Sequence, residues 1–99
     1  MEKNKHYLYV VECRDGTYYA GYTTDVEQRV RKHNEGKGAK YTRGRGPVTV
    51  RYVREYETKG EALRAEYRFK KLNRPEKERV MAMEGEEQYV AAKKLSSKL

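Results

Sequence analysis

Three polar side chains stand where helical periodicity expects apolar ones. Between Thr24 and Gly36 the apolar stripe is set by Val26 and Val30, and Arg29 and His33 fall on or beside it. Between Thr58 and Asn73 the stripe is Ala62, Ala65, Phe69 and Leu72, and Glu66 lies between it and Leu63. A guanidinium, an imidazole and a carboxylate are therefore aimed at the interior or its rim. An unpartnered charge there is costly, so these groups need one another, a metal ion or a wet cleft. Two readings stay open. One is an Arg29–Glu66 ion pair between packed helices, with His33 a hydrogen-bonded core residue. The other is an acid–base and charge-stabilising cluster, which perturbs its groups in the same way.

Two tyrosines add to this set if the strands register correctly. Tyr7 to Cys13 and Thr17 to Tyr22 are rich in aromatic and β-branched residues, and Asp15-Gly16 between them signals a hairpin. A two-residue turn would put Tyr9 and Tyr19 on opposite faces. A three-residue turn, Arg14-Asp15-Gly16 with Gly16 left-handed, opposes Cys13 to Thr17, Val11 to Tyr19 and Tyr9 to Gly21. Both tyrosines then share one side, where they serve either packing or chemistry.

The remaining elements follow from caps and breakers. Thr24-Asp25-Val26-Glu27 fits a capping box for a helix running to Asn34 or Glu35, stopped by Gly36. Gly36 to Pro47 is a loop rich in glycine and basic residues, and Val48 to Tyr56 is a third strand. Thr58-Lys59-Gly60-Glu61 opens a second helix ending near Asn73, and Pro75 starts a short third one to Met83. The expected fold is α+β, a three-stranded antiparallel sheet flanked by helices in the order β-β-α-β-α-α. The domain spans 5–83, and 84–99 is a helical or disordered tail.

Composition narrows the function classes. The chain has 99 residues, 38% charged and 36% hydrophobic, and ten tyrosines argue against wholesale disorder. A chain of this size has a thin core. The lone Cys13 excludes an internal disulfide or a cysteine zinc site, and reads as a small buried hydrophobe. No apolar run approaches a membrane span, and no basic-then-apolar segment suggests export, so a cytoplasmic location is expected. Between Arg29 and Arg54 nine Lys and Arg face the single acid Glu35, so this segment carries the whole formal charge of +8. A localised basic region is the footprint of a polyanion binder or simply a solvated basic face. Tyr41 and Tyr52 interleave with the charges, which tilts the balance toward nucleic acid.

Tyr7-Leu8-Tyr9, then Tyr19-Ala20-Gly21, then Arg29 and His33 on the first helix and Glu66 on the second, resemble the GIY-YIG nuclease domain. The likeness covers roughly Lys5 to Arg79 and is nearest to the small stand-alone bacterial branch of that superfamily. It departs from the motif at Tyr7, where the family has glycine, and at Ala20, where it has isoleucine. Some relatives carry an asparagine about a dozen residues after the glutamate. Here that position is Glu78, with Asn73 nearby.

The resemblance implies a phosphodiesterase site on the sheet surface. Glu66 would hold one divalent cation, Mg²⁺ or Mn²⁺, and Arg29 would bind the scissile phosphate. Tyr9 or Tyr19 would serve the attacking water, His33 would hydrogen-bond a tyrosine hydroxyl or shuttle the proton, and Gly21 would be a structural part of the motif. Such residue types suit the chemistry. A magnesium ion keeps most of its waters and needs few protein ligands, and a planar guanidinium matches phosphate geometry better than lysine does. Arg31, Lys32, Lys37, Lys40, Tyr41, Arg43 and Arg45 would track the nucleic-acid backbone without reading sequence.

The expected activity is thus a metal-dependent endonuclease acting on DNA rather than RNA, with branched, damaged or single-stranded forms as candidate substrates and repair as a candidate role. The alternatives are a nucleic-acid-binding module that keeps the fold without efficient cleavage, and a small protein whose basic face meets an acidic partner. A monomer is expected, with no membrane partner.

Overall fold

The computed structural model describes residues 5–83, so the tail expected over 84–99 lies outside the described residues. The chain runs β1 (His6–Glu12), β2 (Tyr18–Thr23), α1 (Val26–Asn34), a 3-10 turn (Lys40–Thr42), β3 (Thr49–Tyr56) and α2 (Lys59–Lys70). A third helix, α3, occupies residues 74–83. The strands form one three-stranded antiparallel sheet, as expected from the sequence, and its spatial order is β2-β1-β3.

The most apolar strand sits in the middle. Leu8, Tyr9, Val10 and Val11 of β1 are all buried, because strand pleating sends alternate side chains into cores on opposite faces. On one face Leu8, Val10, Ala20 and Tyr52 pack with Ala65 and Phe69 of α2, and Leu72 and Val80 close the edge. On the other, Tyr9, Val11, Cys13, Val48 and Val53 form a second cluster, joined by Tyr19 and by Val26 and Val30 of α1.

The hairpin has the three-residue turn. Cys13 N donates to Thr17 O at 2.7 Å, Gly16 N donates to Cys13 O at 2.9 Å, and Gly16 has φ +87°. Val11 therefore pairs with Tyr19 and Tyr9 with Gly21. Between β1 and β3 the register slips: Val10 opposes Tyr52 but Val11 opposes Val50, leaving Arg51 as the extra residue of a bulge.

The helix ends follow capping chemistry with one correction. Thr58 and Glu61 make the expected reciprocal box at the start of α2. At α1, however, the N-cap is Asp25 and not Thr24: its Oδ1 accepts from Gln28 N at 3.1 Å. The hydroxyl of Thr23 accepts from Asp25 N at 3.1 Å, closing the turn ahead of the helix. A carboxylate at the positive end of the helix is also the better cap electrostatically. α2 stops at Lys70, short of Asn73, because Asn73 starts the next helix. Asn73 Oδ1 accepts from Glu76 N at 3.0 Å and Glu76 Oε1 accepts from Asn73 N at 2.9 Å, a second reciprocal box.

α3 is clamped to the hairpin. Arg74 donates to Gly16 O at 2.8 Å and to Glu78 at 3.0 Å, while Tyr18 donates to the same Glu78 oxygen at 3.0 Å. The guanidinium also stacks over the Tyr18 ring, 4.2 Å from its centroid. Glu78 is thereby committed to holding α3 in place.

Candidate active site

β1 and β2 present Tyr9 and Tyr19 side by side on the α1 face, with ring centroids 6.4 Å apart. α1 lowers His33 onto both rings, 5.8 Å from Tyr9 and 5.3 Å from Tyr19 in an edge-on contact. Tyr9 and His33 are fully buried, and Tyr19 is half-buried. His33 Nε2 lies 2.8 Å from the Tyr9 hydroxyl, and its Nδ1 lies 2.7 Å from Thr42 Oγ1. The inward position read for His33 from periodicity is the one it occupies.

Tyr9 fits only because Gly21 is bare. A Cβ there would stand 2.6 Å from the Tyr9 hydroxyl oxygen. Gly38, from the loop, does the same for His33: a Cβ at that position would overlap the imidazole at Nδ1 and come within 2.9 Å of Cα. Neither Gly38 nor Thr42 was marked by sequence reasoning. They lie in a loop without periodicity, and only the small size of one and the hydroxyl of the other hint at their roles.

Arg29 is exposed at the rim, with its guanidinium against the Tyr9 hydroxyl. Burial, then the charge of Tyr19, pushes the Tyr9 phenol above its usual range, and Arg29 opposes the shift. Burial and then the Arg29 charge hold His33 below an ordinary histidine, which favours the neutral ring. Glu66, on α2, is near enough to act on Tyr9 by charge. Its carboxylate pairs with Lys70 Nζ at 2.8 Å, so the partner left open in the sequence is Lys70 rather than Arg29. Lys70 reaches past the β2 edge to lie 5.6 Å from the Tyr19 ring centroid.

The basic residues divide in two. Arg31, Lys32, Lys37, Lys40 and Arg43 are exposed along the end of α1 and the loop. Arg45 instead anchors the loop: it pairs with Asp15 at 2.6 Å and lies over the Tyr41 ring, 4.5 Å from its centroid. Tyr41 in turn stacks on Tyr19 at 5.9 Å and 21°. Asn34 Oδ1 accepts from Val48 N at 2.6 Å and fastens the far end of the loop. A shallow groove beside Tyr19 is lined by Tyr41, Phe69, Lys70 and Lys77.

Among the described residues no group of three His, Cys, Asp or Glu could cage a metal ion. Glu66, its side chain 18% exposed, suits a hard divalent ion that retains most of its water and needs few protein ligands. No helix among the described residues is long and apolar enough to cross a membrane.

A sheet bearing paired tyrosines, a helix carrying arginine and histidine, and a second helix carrying glutamate lie within the stretch of chain that matches a nuclease-family domain. Residues 5–79 match the GIY-YIG catalytic domain, and the chain belongs to that family, a family of nucleases that are generally metal-dependent. Within it the chain is similar to a UPF0213 protein of Bacillus cereus, 59% identical over 98 residues, which are 99% of this chain and 100% of the relative. Two solution NMR structures are also similar. A UPF0213 protein of Bacillus halodurans is 50% identical, with TM-score 0.56 over 83% of this chain and 87% of the other. A protein of E. faecalis is 42% identical, with TM-score 0.57 over 85% and 92%.

Proposed function

We propose that this protein is a divalent-metal-dependent endonuclease that hydrolyses phosphodiester bonds in DNA. The observation that carries the reading is the convergence of Tyr9, Tyr19, His33 and Arg29 beside Glu66, next to an exposed basic loop.

Arg29 binds the scissile phosphate. Its fixed positive charge and planar donors oppose the negative charge that builds on the phosphoryl oxygens. Tyr9 is buried in the unbound protein, with Arg29 against its hydroxyl. As Arg29 turns to the bound phosphate it uncovers that hydroxyl, and the attacking water gives its proton to the Tyr9 oxygen as the Tyr9 proton passes to His33 Nε2, 2.8 Å away. The phenol ends neutral, His33 becomes imidazolium, and the hydroxide attacks phosphorus as the bond from phosphorus to the leaving sugar oxygen breaks. That oxygen takes a proton from water, and the resulting hydroxide recovers the His33 proton through Tyr9, so no free phenolate is needed. That matters because burial makes the Tyr9 phenolate costly. Tyr19 packs against both partners and keeps them aligned. Glu66 would hold one Mg²⁺ or Mn²⁺, which would supply Lewis-acid stabilisation of the charge on the phosphate. The exposed Arg31, Lys32, Lys37, Lys40 and Arg43 hold the backbone by charge and read no sequence.

One observation favours a second reading, a nucleic-acid-binding module without efficient cleavage. Lys70 already takes a carboxylate oxygen of Glu66. Duplex, single-stranded, nicked and branched DNA, with single-stranded RNA alongside, incubated with Mg²⁺, Mn²⁺ or EDTA, separates the two readings. Cutting that needs metal and vanishes in Glu66→Gln protein purified identically supports the nuclease. Equal traces from both proteins, with tight salt-sensitive binding, would leave the binding module.

A further inference from the structure

His33 is a base only if the nitrogen facing Tyr9 is the unprotonated one, and the loop beneath it decides this. The carbonyl of Ala39 can only accept, so Thr42 Oγ1, 2.9 Å away, donates its single proton there. The same oxygen lies 2.7 Å from His33 Nδ1. With its proton already directed to Ala39, it can only accept from that nitrogen. In the neutral ring Nδ1 therefore carries the hydrogen and Nε2 is bare. The Tyr9 hydroxyl, 2.8 Å from Nε2, must then donate to it. The chain runs one way, from Tyr9 to His33 to Thr42 to Ala39.

We propose that Thr42 is a positioning residue that fixes the tautomer of His33 and so keeps Nε2 open to the Tyr9 proton. Thr42 touches neither the phosphate nor the water in this scheme; it acts through His33. It is itself 1% exposed, and Gly38 lies so close over Nδ1 that the nitrogen faces the loop and not solvent. The 3-10 turn Lys40–Thr42 is what sets the hydroxyl at this point, with Thr42 N donating to Ala39 O at 3.1 Å. Without the hydroxyl, an Nδ1–H would be buried with no acceptor, which is costlier than a bare nitrogen there. The ring would then move its hydrogen to Nε2 and lose its ability to take a proton from Tyr9.

This rests on the nuclease reading for its effect on rate, but the tautomer is measurable without any substrate. Imidazole ¹⁵N chemical shifts of the full chain at neutral pH should show the Nδ1–H form of His33. The Nε2–H form in the unaltered protein would overturn the proposal. Thr42→Val, which keeps the shape and removes the hydroxyl, should shift the ring to Nε2–H. Its kcat should fall about 10²-fold with little change in KM, whereas Thr42→Ser should restore both the tautomer and the rate. A Thr42→Val protein that keeps the Nδ1–H form and its kcat would also sink the idea. If the unaltered protein cuts nothing, the nuclease reading fails while the ¹⁵N shifts still decide the role of Thr42.

Discussion

Tyr9 lays its phenol across the backbone of Gly21, so close that a Cβ on the glycine would stand 2.6 Å from the hydroxyl oxygen and 2.8 Å from Cζ. That contact, and not the conformational freedom of glycine, is what the position requires. The ring is held in place by β2 beneath it, by Tyr19 beside it and by His33 above it. Gly21→Ala should therefore cost about 1–3 kcal/mol, the range for overpacking a close-fitted core. It should also move the hydroxyl away from His33 and depress cleavage more than it depresses DNA binding. Denaturant unfolding, paired with kcat and binding measurements, checks both parts. An alanine variant with normal stability would mean that the ring slides aside freely.

The hairpin could be read from the sequence because strand pairing is arithmetic. Once Gly16 is assigned the left-handed position, Tyr9 must face Gly21 and both tyrosines must share a side. His33 and Glu66 were readable because helical periodicity places them, and Thr58 because its box has a reciprocal partner. Thr24 and Asp25 are both good caps, and what distinguishes them is the turn in which Asp25 N donates to Thr23 Oγ1 while Asp25 Oδ1 accepts from Gln28 N. The Glu66 partner depends on how α2 is rotated against the sheet, which periodicity alone does not set. Thr42 and Gly38 were invisible for a plainer reason. Their roles come from where an aperiodic loop lands, and no local pattern records that.

The charge state of His33 links stability to pH. Its pKa in the folded chain is depressed, first by burial and then by the Arg29 charge. The unfolded chain, with an ordinary value of about 6.5, then binds the proton more tightly than the folded one. This contribution to stability is complete above about pH 6.5 and is lost as pH falls through the folded pKa. Denaturant midpoints should thus drop on acidification, and the acidic limb of kcat should lie below the ordinary histidine range. Arg29→Gln removes a like charge, so NMR titration should find the His33 pKa moved upward. A downward move would show that Arg29 acts on His33 other than by charge.

Salt should separate the residues that meet DNA from those that build the loop. Lys37, Lys40 and Arg43 are exposed, whereas Arg45 is tied to Asp15 and Tyr41. If each of the first three neutralises one phosphate, its loss should flatten the log–log salt dependence by about 0.9 for duplex and about 0.7 for single strands. Arg45→Ala should instead loosen the stack of Tyr41 on Tyr19, lowering the thermal midpoint as well as affinity. Binding isotherms at several salt concentrations, with a melting curve for each variant, test this division. An Arg45 variant that changes only the salt slope would place it with the phosphate contacts.

Asn73 offers the complementary test, because the resemblance drawn from the sequence leaves it a choice between the site and a helix cap. Both its side-chain oxygen and its backbone N–H are engaged with Glu76 at the start of α3. Helix capping therefore accounts for it, and Asn73→Ala should cost about 1 kcal/mol while leaving kcat and its metal dependence unaltered. Asn73→Asp, which can also cap, should recover the stability. The effect should stay local, since α3 is also held by Arg74 on Gly16 and by Glu78 on Tyr18. Unfolding curves and metal titrations of cleavage on the two variants decide it. A fall in kcat without a fall in stability would move Asn73 from the helix cap into the active site.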